Sequence, residues 1–374
     1  MPASPPTKTT SAKMLPGPEA HHAEYSQRLP DGRLECQLCP RACALRDGQA
    51  GLCFIRERQG ERIRLTSYGR SHGFCIDPIE KKPLHHFYPG SPVLSFGTAG
   101  CNLNCAFCQN WEISHARELE RHSAAASPER IAQTATELGC TSVAYTYNDP
   151  VIFLEYVVDT ARACRQRGIK NVAVTAGYIS PRAREDFFRH IDAANVDLKA
   201  FSERFYRRLC GGHLAPVLDT LCYLRQESQV WLELTTLLIP GENDSPAELH
   251  QLCAWVAEHL GVDTPIHFSA YHPAWRLQTP PPTPPETLRL ARHIAMQQGL
   301  RFAYTGNLRD PEGNTTWCPH CQRALIERSG YQLGHWGLNA EAHCRHCGYP
   351  LPGHFTPTPG TWGARRQPVR LTEE

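Results

Sequence analysis

The chain has 374 residues and a hydrophobic fraction of 41%, enough for one large core with smaller appendages, and this excludes disorder of the whole. Its 39 basic residues nearly balance 37 acidic ones, so the total charge does not steer it toward nucleic acid or an anionic membrane. No apolar run approaches a membrane span and the N-terminal segment lacks a signal-peptide core, so we expect a cytoplasmic protein with no membrane and no nucleic-acid partner.

In chain order, residues 1–30 show no periodicity and are expected to be a disordered tail. Residues 31–85 read as a cysteine-rich module in which Cys36, Cys39, Cys43 and Cys53 offer four thiols at irregular spacing. Either zinc or an auxiliary [4Fe-4S] cluster suits them, and a structural metal is preferred because nothing in the sequence marks an electron path. From 86 to 307, β-rich apolar runs alternate with amphipathic stretches. The runs are 93–99, 142–147, 171–177, 196–201, 231–239, 265–271 and 302–306, and the helical patterns include 151–167, 246–260 and 286–298. That order predicts an α/β fold, a full or partial (βα) barrel with its site at the C-terminal strand ends. A doubly wound sheet is the competing architecture, but no G-x-G-x-x-G follows the first strand. Residues 308–355 hold two C-x2-C pairs, Cys318/Cys321 and Cys344/Cys347, the pattern of a zinc ribbon with a structural zinc, rubredoxin-like iron being next. Residues 356–374 are expected to be a second disordered tail. The cysteines outside these groups lie in apolar stretches and read as core thiols.

The polar residues gather at the predicted strand ends. The segment T-A-G-C-N-L-N-C-A-F-C-Q-N places Cys101, Cys105 and Cys108 in a C-x3-C-x2-C pattern directly after the first barrel strand. Three such thiolates can hold three irons of a cubane and leave the fourth open to an exogenous ligand. A zinc site made from the same thiols and His115 is the alternative, although zinc ligands favour paired C-x2-C spacing.

With Phe107 before its last cysteine, the motif resembles the radical SAM (S-adenosylmethionine) superfamily. The longer string C-N-L-N-C-A-F-C-Q-N-W-E-I-S resembles the AmmeMemoRadiSam system radical SAM enzymes, which are similar in turn to pyruvate formate-lyase activating enzyme. The resemblance runs from about Leu34 to Gly353 and takes in I-E-K-K-P-L-H-H-F-Y-P-G at 79–90 and both flanking cysteine groups. It implies a barrel of the radical SAM type in which Cys101, Cys105 and Cys108 hold a [4Fe-4S] cluster. SAM bound there would be cleaved reductively to methionine and a 5'-deoxyadenosyl radical, which abstracts hydrogen from an unidentified substrate. The implied partners are an electron donor such as flavodoxin or ferredoxin, and Memo-type and Amme-type proteins.

The same resemblance implies the SAM contacts. Tyr147-Asn148-Asp149-Pro150 stands where activating enzymes carry a G-G-E-P type segment, so Asn148 and Asp149 would face the SAM amino group. Asp149 is one methylene short of the expected glutamate and the glycines are absent; the alternative is an Asp capping the helix that begins at Pro150. Asp197 and Lys199 resemble a D-x-K strand end that would meet the SAM carboxylate and ribose, or else form a barrel salt bridge. His272 resembles a histidine near bound SAM, with a structural histidine as the alternative. Thr175 and Asn307 fit the rim by position alone, and Phe107 by its place in the motif. A glycyl-radical enzyme activase is a second functional reading, and a zinc-rich adaptor is the non-enzymatic one.

Overall fold

A computed structural model of the chain describes residues 21–115 and 124–371. One large sheet carries the fold. Its strands are β1 (Arg70–Pro78), β2 (Pro92–Gly97), β3 (Ser142–Tyr145), β4 (Lys170–Thr175), β5 (Ala193–Asp197), β6 (Trp231–Leu238), β7 (Ile266–Ala270) and β8 (Ala303–Gly306). From β2 to β8 every strand pairs in parallel with the next one in the chain. This unbroken order has no reversal point, so it excludes the doubly wound alternative. No pairing joins β8 back to β2 among the described residues, and the barrel is therefore a partial one.

The helices are α1 (Pro128–Glu137), α2 (Leu154–Gln166), α3 (Pro181–Phe188), α4 (Ala215–Gln226), α5 (Pro246–His259) and α6 (Pro285–Gln297). Local chemistry sets their starts. In α5, Ser245 Oγ accepts from the Glu248 N–H at 3.3 Å and proline occupies the first turn, where a missing N–H costs nothing. Its buried Leu249, Leu252, Cys253 and Val256 recur at helical spacing and face the sheet. Helices α1, α3 and α4 were not among the helical patterns named from the sequence. The apolar run at 196–201 is strand only to Asp197; Leu198 and Ala200 are buried but belong to the following loop, so Lys199 lies beyond the strand end.

Three expectations are corrected. Strand β1 falls in the region assigned to the N-terminal module, yet it pairs antiparallel with β2 and belongs to the main sheet. Of the expected N-terminal tail, residues 1–20 lie outside the described residues, but His21–His22 and Ser26–Arg28 form strands. The C-terminal tail is ordered as far as residue 371: β9 (Gln367–Pro368) pairs with β1, and the Val369 N–H donates to the Phe74 carbonyl at 2.9 Å. The physical reason is that β1 is an edge strand whose unpaired backbone groups the tail satisfies.

Residues 79–91 close the N-terminal end of the barrel. The backbone N–H groups of His85 and His86 donate to the Glu233 carboxylate at 2.9 and 2.8 Å, and His267 Nε2 lies 2.7 Å from it. Glu80 is also buried here; its Oε1 accepts from the Gly90 N–H at 2.8 Å while Oε2 has no partner. Burial pushes the Glu80 carboxyl up from 4.5 to about 7, so the folded chain holds a proton that the unfolded chain releases. That stabilisation is complete below the unfolded value and is lost as pH rises through the folded one. We expect Glu80→Gln to remove this decline, worth about 3 kcal/mol at most, between pH 5 and 8. Melting temperature against pH tests it: wild type should fall more steeply with rising pH than the variant, and parallel curves would refute the assignment.

Candidate active site

The loop from β2 to the short helix Trp111–Ser114 carries Cys101, Cys105 and Cys108 at the C-terminal mouth of the barrel. Several elements clamp its backbone. Asn148 Nδ2 donates to the Gly100 carbonyl at 2.8 Å, and the Thr98 N–H donates to Asn148 Oδ1 at 3.2 Å. The N–H groups of Asn104 and Ala106 donate to the carbonyls of Cys210 and Leu209 at 2.9 and 2.8 Å. Arg276 and Leu277, in the loop after β7, donate to the Ala106 carbonyl at 3.1 and 3.0 Å. Arg41 donates to the carbonyls of Asn102 and Gly211. Gly100 has φ +89°, and a Cβ there would lie 1.9 Å from the Cys53 carbonyl oxygen, so no side chain fits at the step into Cys101.

All three thiols are half-buried. Burial raises Cys101 and Cys108 above the ordinary thiol range, while Cys105 is raised first by its hydrogen bond with Cys210 and then by burial. Without a metal, these groups stay protonated; binding iron supplies the stabilisation that a buried thiolate needs. The three sulfurs do not form a group within 4.8 Å of one another, a spacing met among the described residues by Cys318, Cys321, Cys344 and Cys347. Thiolates on the corners of a cubane stand further apart than thiolates on one ion, and three cysteines on one loop are the donor set of a cluster with one open iron. His115, the histidine of the zinc alternative, stacks on Trp275 with centroids 4.1 Å apart and forms no single-ion group with these sulfurs.

Around the thiols the structure gathers some of the expected residues and leaves others aside. Asp149 is 4% exposed; Oδ1 accepts from the Val151 N–H at 3.1 Å and from Thr175 Oγ1 at 2.9 Å, and Oδ2 accepts from the Ala176 N–H at 3.1 Å. It therefore caps the turn Pro150–Phe153 and ties the ends of β3 and β4 together. Burial pushes its carboxyl up to about 6 against those hydrogen bonds. Lys199 Nζ pairs with Asp197 Oδ2 at 2.7 Å and acts electrostatically on Cys105 and Cys108. Asn148 is occupied in locking the cysteine loop. Phe107 is buried against Phe205, with centroids 5.7 Å apart. Asn307 donates to the Ala270 carbonyl at 3.2 Å, as a loop residue does. His272 is exposed and no hydrogen bond joins it to the thiol loop. Cys210, read from the sequence only as a core thiol, lies against Cys105. Its neighbours Gly211-Gly212 were the one local sign of a tight approach.

In the C-terminal module, the strands Thr316–Trp317, Ala324–Ser329 and Gln332–Trp336 form a separate sheet. Cys318 Sγ lies 3.5 Å from Cys347 Sγ, and Cys321 Sγ lies 3.8 Å from Cys344 Sγ. Four thiolates placed tetrahedrally at zinc-sulfur bond length stand about 3.8 Å apart, so the cysteines are already arranged around a single-ion centre. This cluster can bind a metal.

A partial (βα) barrel with three cysteines in the loop after its first parallel strand defines a class of iron-sulfur enzyme. A model of the radical SAM superfamily matches residues 96–253. An uncharacterized protein of Methanocaldococcus jannaschii is 38% identical over 327 residues, 87% of this chain and 97% of that protein. Pyruvate formate-lyase 1-activating enzyme of Escherichia coli is 23% identical over 235 residues, 58% of this chain and 93% of the enzyme. A solved domain of pyruvate-formate lyase-activating enzyme from Bacteroides vulgatus is 20% identical with a TM-score of 0.39, covering 44% of this chain and 99% of that one. The chain belongs to the radical SAM superfamily. Membership implies a [4Fe-4S] cluster, SAM and a reductant of the flavodoxin type. No helix among the described residues is long and apolar enough to cross a membrane.

Proposed function

We propose that this protein is an enzyme that cleaves SAM reductively, with Cys101, Cys105 and Cys108 as the cluster ligands. The observation that carries the reading is a loop of three thiols at the barrel mouth, spread too widely for one ion and faced by Lys199 and Asp149. A [4Fe-4S] cluster with SAM at its open iron supplies the electron that breaks the sulfonium C–S bond and yields methionine and a hydrogen-abstracting radical. The chain's own residues do the positioning. Asn148, Arg41 and Gly100 fix the loop; Lys199 balances the negative charge that iron-bound thiolates bring. Asp149 has lone pairs left after its three hydrogen bonds and offers a carboxylate to the SAM ammonium, and Asp197 with Lys199 and the exposed His272 complete the SAM-facing rim. Phe107 and Thr175 back this rim from the core. The substrate stays open.

Two finer points belong to this proposal. The string around Cys101 to Cys108 supports a place in the AmmeMemoRadiSam system, with Memo-type and Amme-type proteins as partners. The four sulfurs of the ribbon at single-ion spacing support structural zinc there. Likeness to pyruvate formate-lyase 1-activating enzyme over 93% of that enzyme keeps a glycyl-radical activase as the second reading.

The test is anaerobic incubation of reconstituted protein with SAM and dithionite, which should yield 5'-deoxyadenosine and methionine. Asp149→Asn, which keeps the Val151 cap through Oδ1 but removes the charge and the bond from the Ala176 N–H, should weaken SAM binding about tenfold with iron content unchanged. Unaltered affinity would leave Asp149 as a cap only, and a wild-type protein that gives no 5'-deoxyadenosine would refute the reading.

A further inference from the structure

We propose that Cys36, Cys39, Cys43 and Cys53 hold a second [4Fe-4S] cluster, placed against the first, through which the electron for SAM cleavage arrives. The inference rests on the radical SAM reading above and gives that site its electron route. It also departs from the structural metal preferred from the sequence because nothing there marks an electron path.

The backbone brings the four thiols around a small cavity. Cys36 N–H donates to the Cys43 carbonyl at 2.9 Å, closing a hairpin, and the Ala42 N–H donates to the Cys39 carbonyl at 3.1 Å, turning the chain between its second and third cysteines. A second turn, from the Phe54 N–H to the Gly51 carbonyl at 3.1 Å, places Cys53 opposite them. All four cysteines line the cavity, together with Arg56 and Asn102. Yet no three of these sulfurs lie within 4.8 Å of one another, whereas the four of the ribbon do. One chain thus holds two cysteine quartets with different spacing. The ribbon is gathered for a single ion; the N-terminal quartet is not, and four thiolates are the ligand set of a [4Fe-4S] cluster.

A buried cation supports the same assignment. Arg56 is 1% exposed; its Nε donates to the Ile152 carbonyl at 2.9 Å and its Nη2 pairs with Glu155. Its Nη1 is buried and has no partner among the described residues. An unsatisfied guanidinium N–H is costly in a core, and here it belongs to a side chain that lines the thiol cavity. The sulfides and thiolates of an anionic cluster would accept from it, and N–H donation to sulfur is one of the levers that sets a cluster's potential.

The two sites share a wall. Asn102 lines the cavity and is the residue after Cys101, Arg41 of the quartet's own turn donates to the Asn102 carbonyl, and the Cys53 carbonyl sits where a Gly100 side chain would be. On the outer side, Cys39 and Cys43 are half-buried and Leu52 is 37% exposed, so a donor protein can reach the quartet from this face. The step is a one-electron relay: a reduced flavodoxin or ferredoxin loses one electron, the second cluster gains it and passes it to the first, and no proton moves.

Iron, sulfide and zinc analysis of the anaerobically reconstituted full chain tests the proposal. Wild type should carry about eight iron, and Cys101→Ala/Cys105→Ala/Cys108→Ala should keep about four, by the stoichiometry of such clusters. In reduced wild type two paramagnetic signals are expected, of which SAM perturbs one; this readout needs no variant to fold. Arg56→Gln should make the second cluster harder to reduce without lowering iron content. Cys39→Ser with Cys43→Ser should reduce 5'-deoxyadenosine formation at least about tenfold more with flavodoxin than with dithionite as the reductant. Equal loss with both would remove the electron route. Wild type with about four iron, and a triple variant with zinc and no iron, would overturn the second cluster while leaving the radical SAM reading intact. A wild type without any iron would sink that reading itself.

Discussion

Replacing Cys101, Cys105 and Cys108 together by Ala should abolish 5'-deoxyadenosine formation, a loss of at least about a thousandfold, while the chain remains folded. The size of the loss follows from the chemistry. Each thiolate binds one iron, and without them there is no open iron for SAM and no electron for the sulfonium bond. Retention of the fold follows from the clamps on the loop, none of which uses a thiol. Asn148 holds the Gly100 carbonyl, Asn104 and Ala106 hold the carbonyls of Cys210 and Leu209, and Arg41 holds Asn102 and Gly211. The three sulfurs are half-buried, so their removal costs about 1 kcal/mol each or less. The measurement is product formation by chromatography with a circular-dichroism melt as control. A folded triple variant that still cleaves SAM would show that other ligands hold the catalytic iron.

The second large effect concerns the ribbon. Cys318→Ser with Cys344→Ser should lose about one metal ion per chain and lower the melting temperature by roughly 10 °C, while SAM cleavage with dithionite persists. The variant removes one sulfur from each close pair, Cys318 with Cys347 and Cys321 with Cys344. A metal bound only by the folded state stabilises by mass action, and that contribution disappears with its ligands. The ribbon is not free-standing: Cys318, Leu325, Ile326, Leu338 and Leu351 pack with Phe302 and Tyr304 of the last barrel segment. Arg328 Nη2 donates to the His85 carbonyl at 2.8 Å, so loosening the ribbon also loosens the plug at the N-terminal end of the barrel. The catalytic loop lies at the opposite end of the strands, and this separation preserves the chemistry. Loss of iron, or of SAM cleavage in a folded variant, would make the ribbon a redox centre.

Alternating apolar runs were enough to place the seven parallel strands, because strand burial in a parallel sheet is written as local hydrophobicity. The spacing of cysteines was enough to mark Cys318, Cys321, Cys344 and Cys347 as a group that can bind a metal, since ligand pairs on one turn are close in sequence and in space alike. Asn148 shows where that reasoning stops: its tripeptide resembles a SAM-facing segment, but folding turns its amide onto the Gly100 carbonyl. Cys210 meets Cys105, Arg56 with its unpaired Nη1 lines the cavity of the N-terminal thiols, and Gln367–Pro368 covers the edge of β1. Such juxtapositions join residues far apart in the chain. Periodicity and spacing report each residue's neighbours along the backbone; which distant surface then satisfies its hydrogen bonds is decided when the sheet curls, and with it which cysteine quartet is gathered to single-ion spacing.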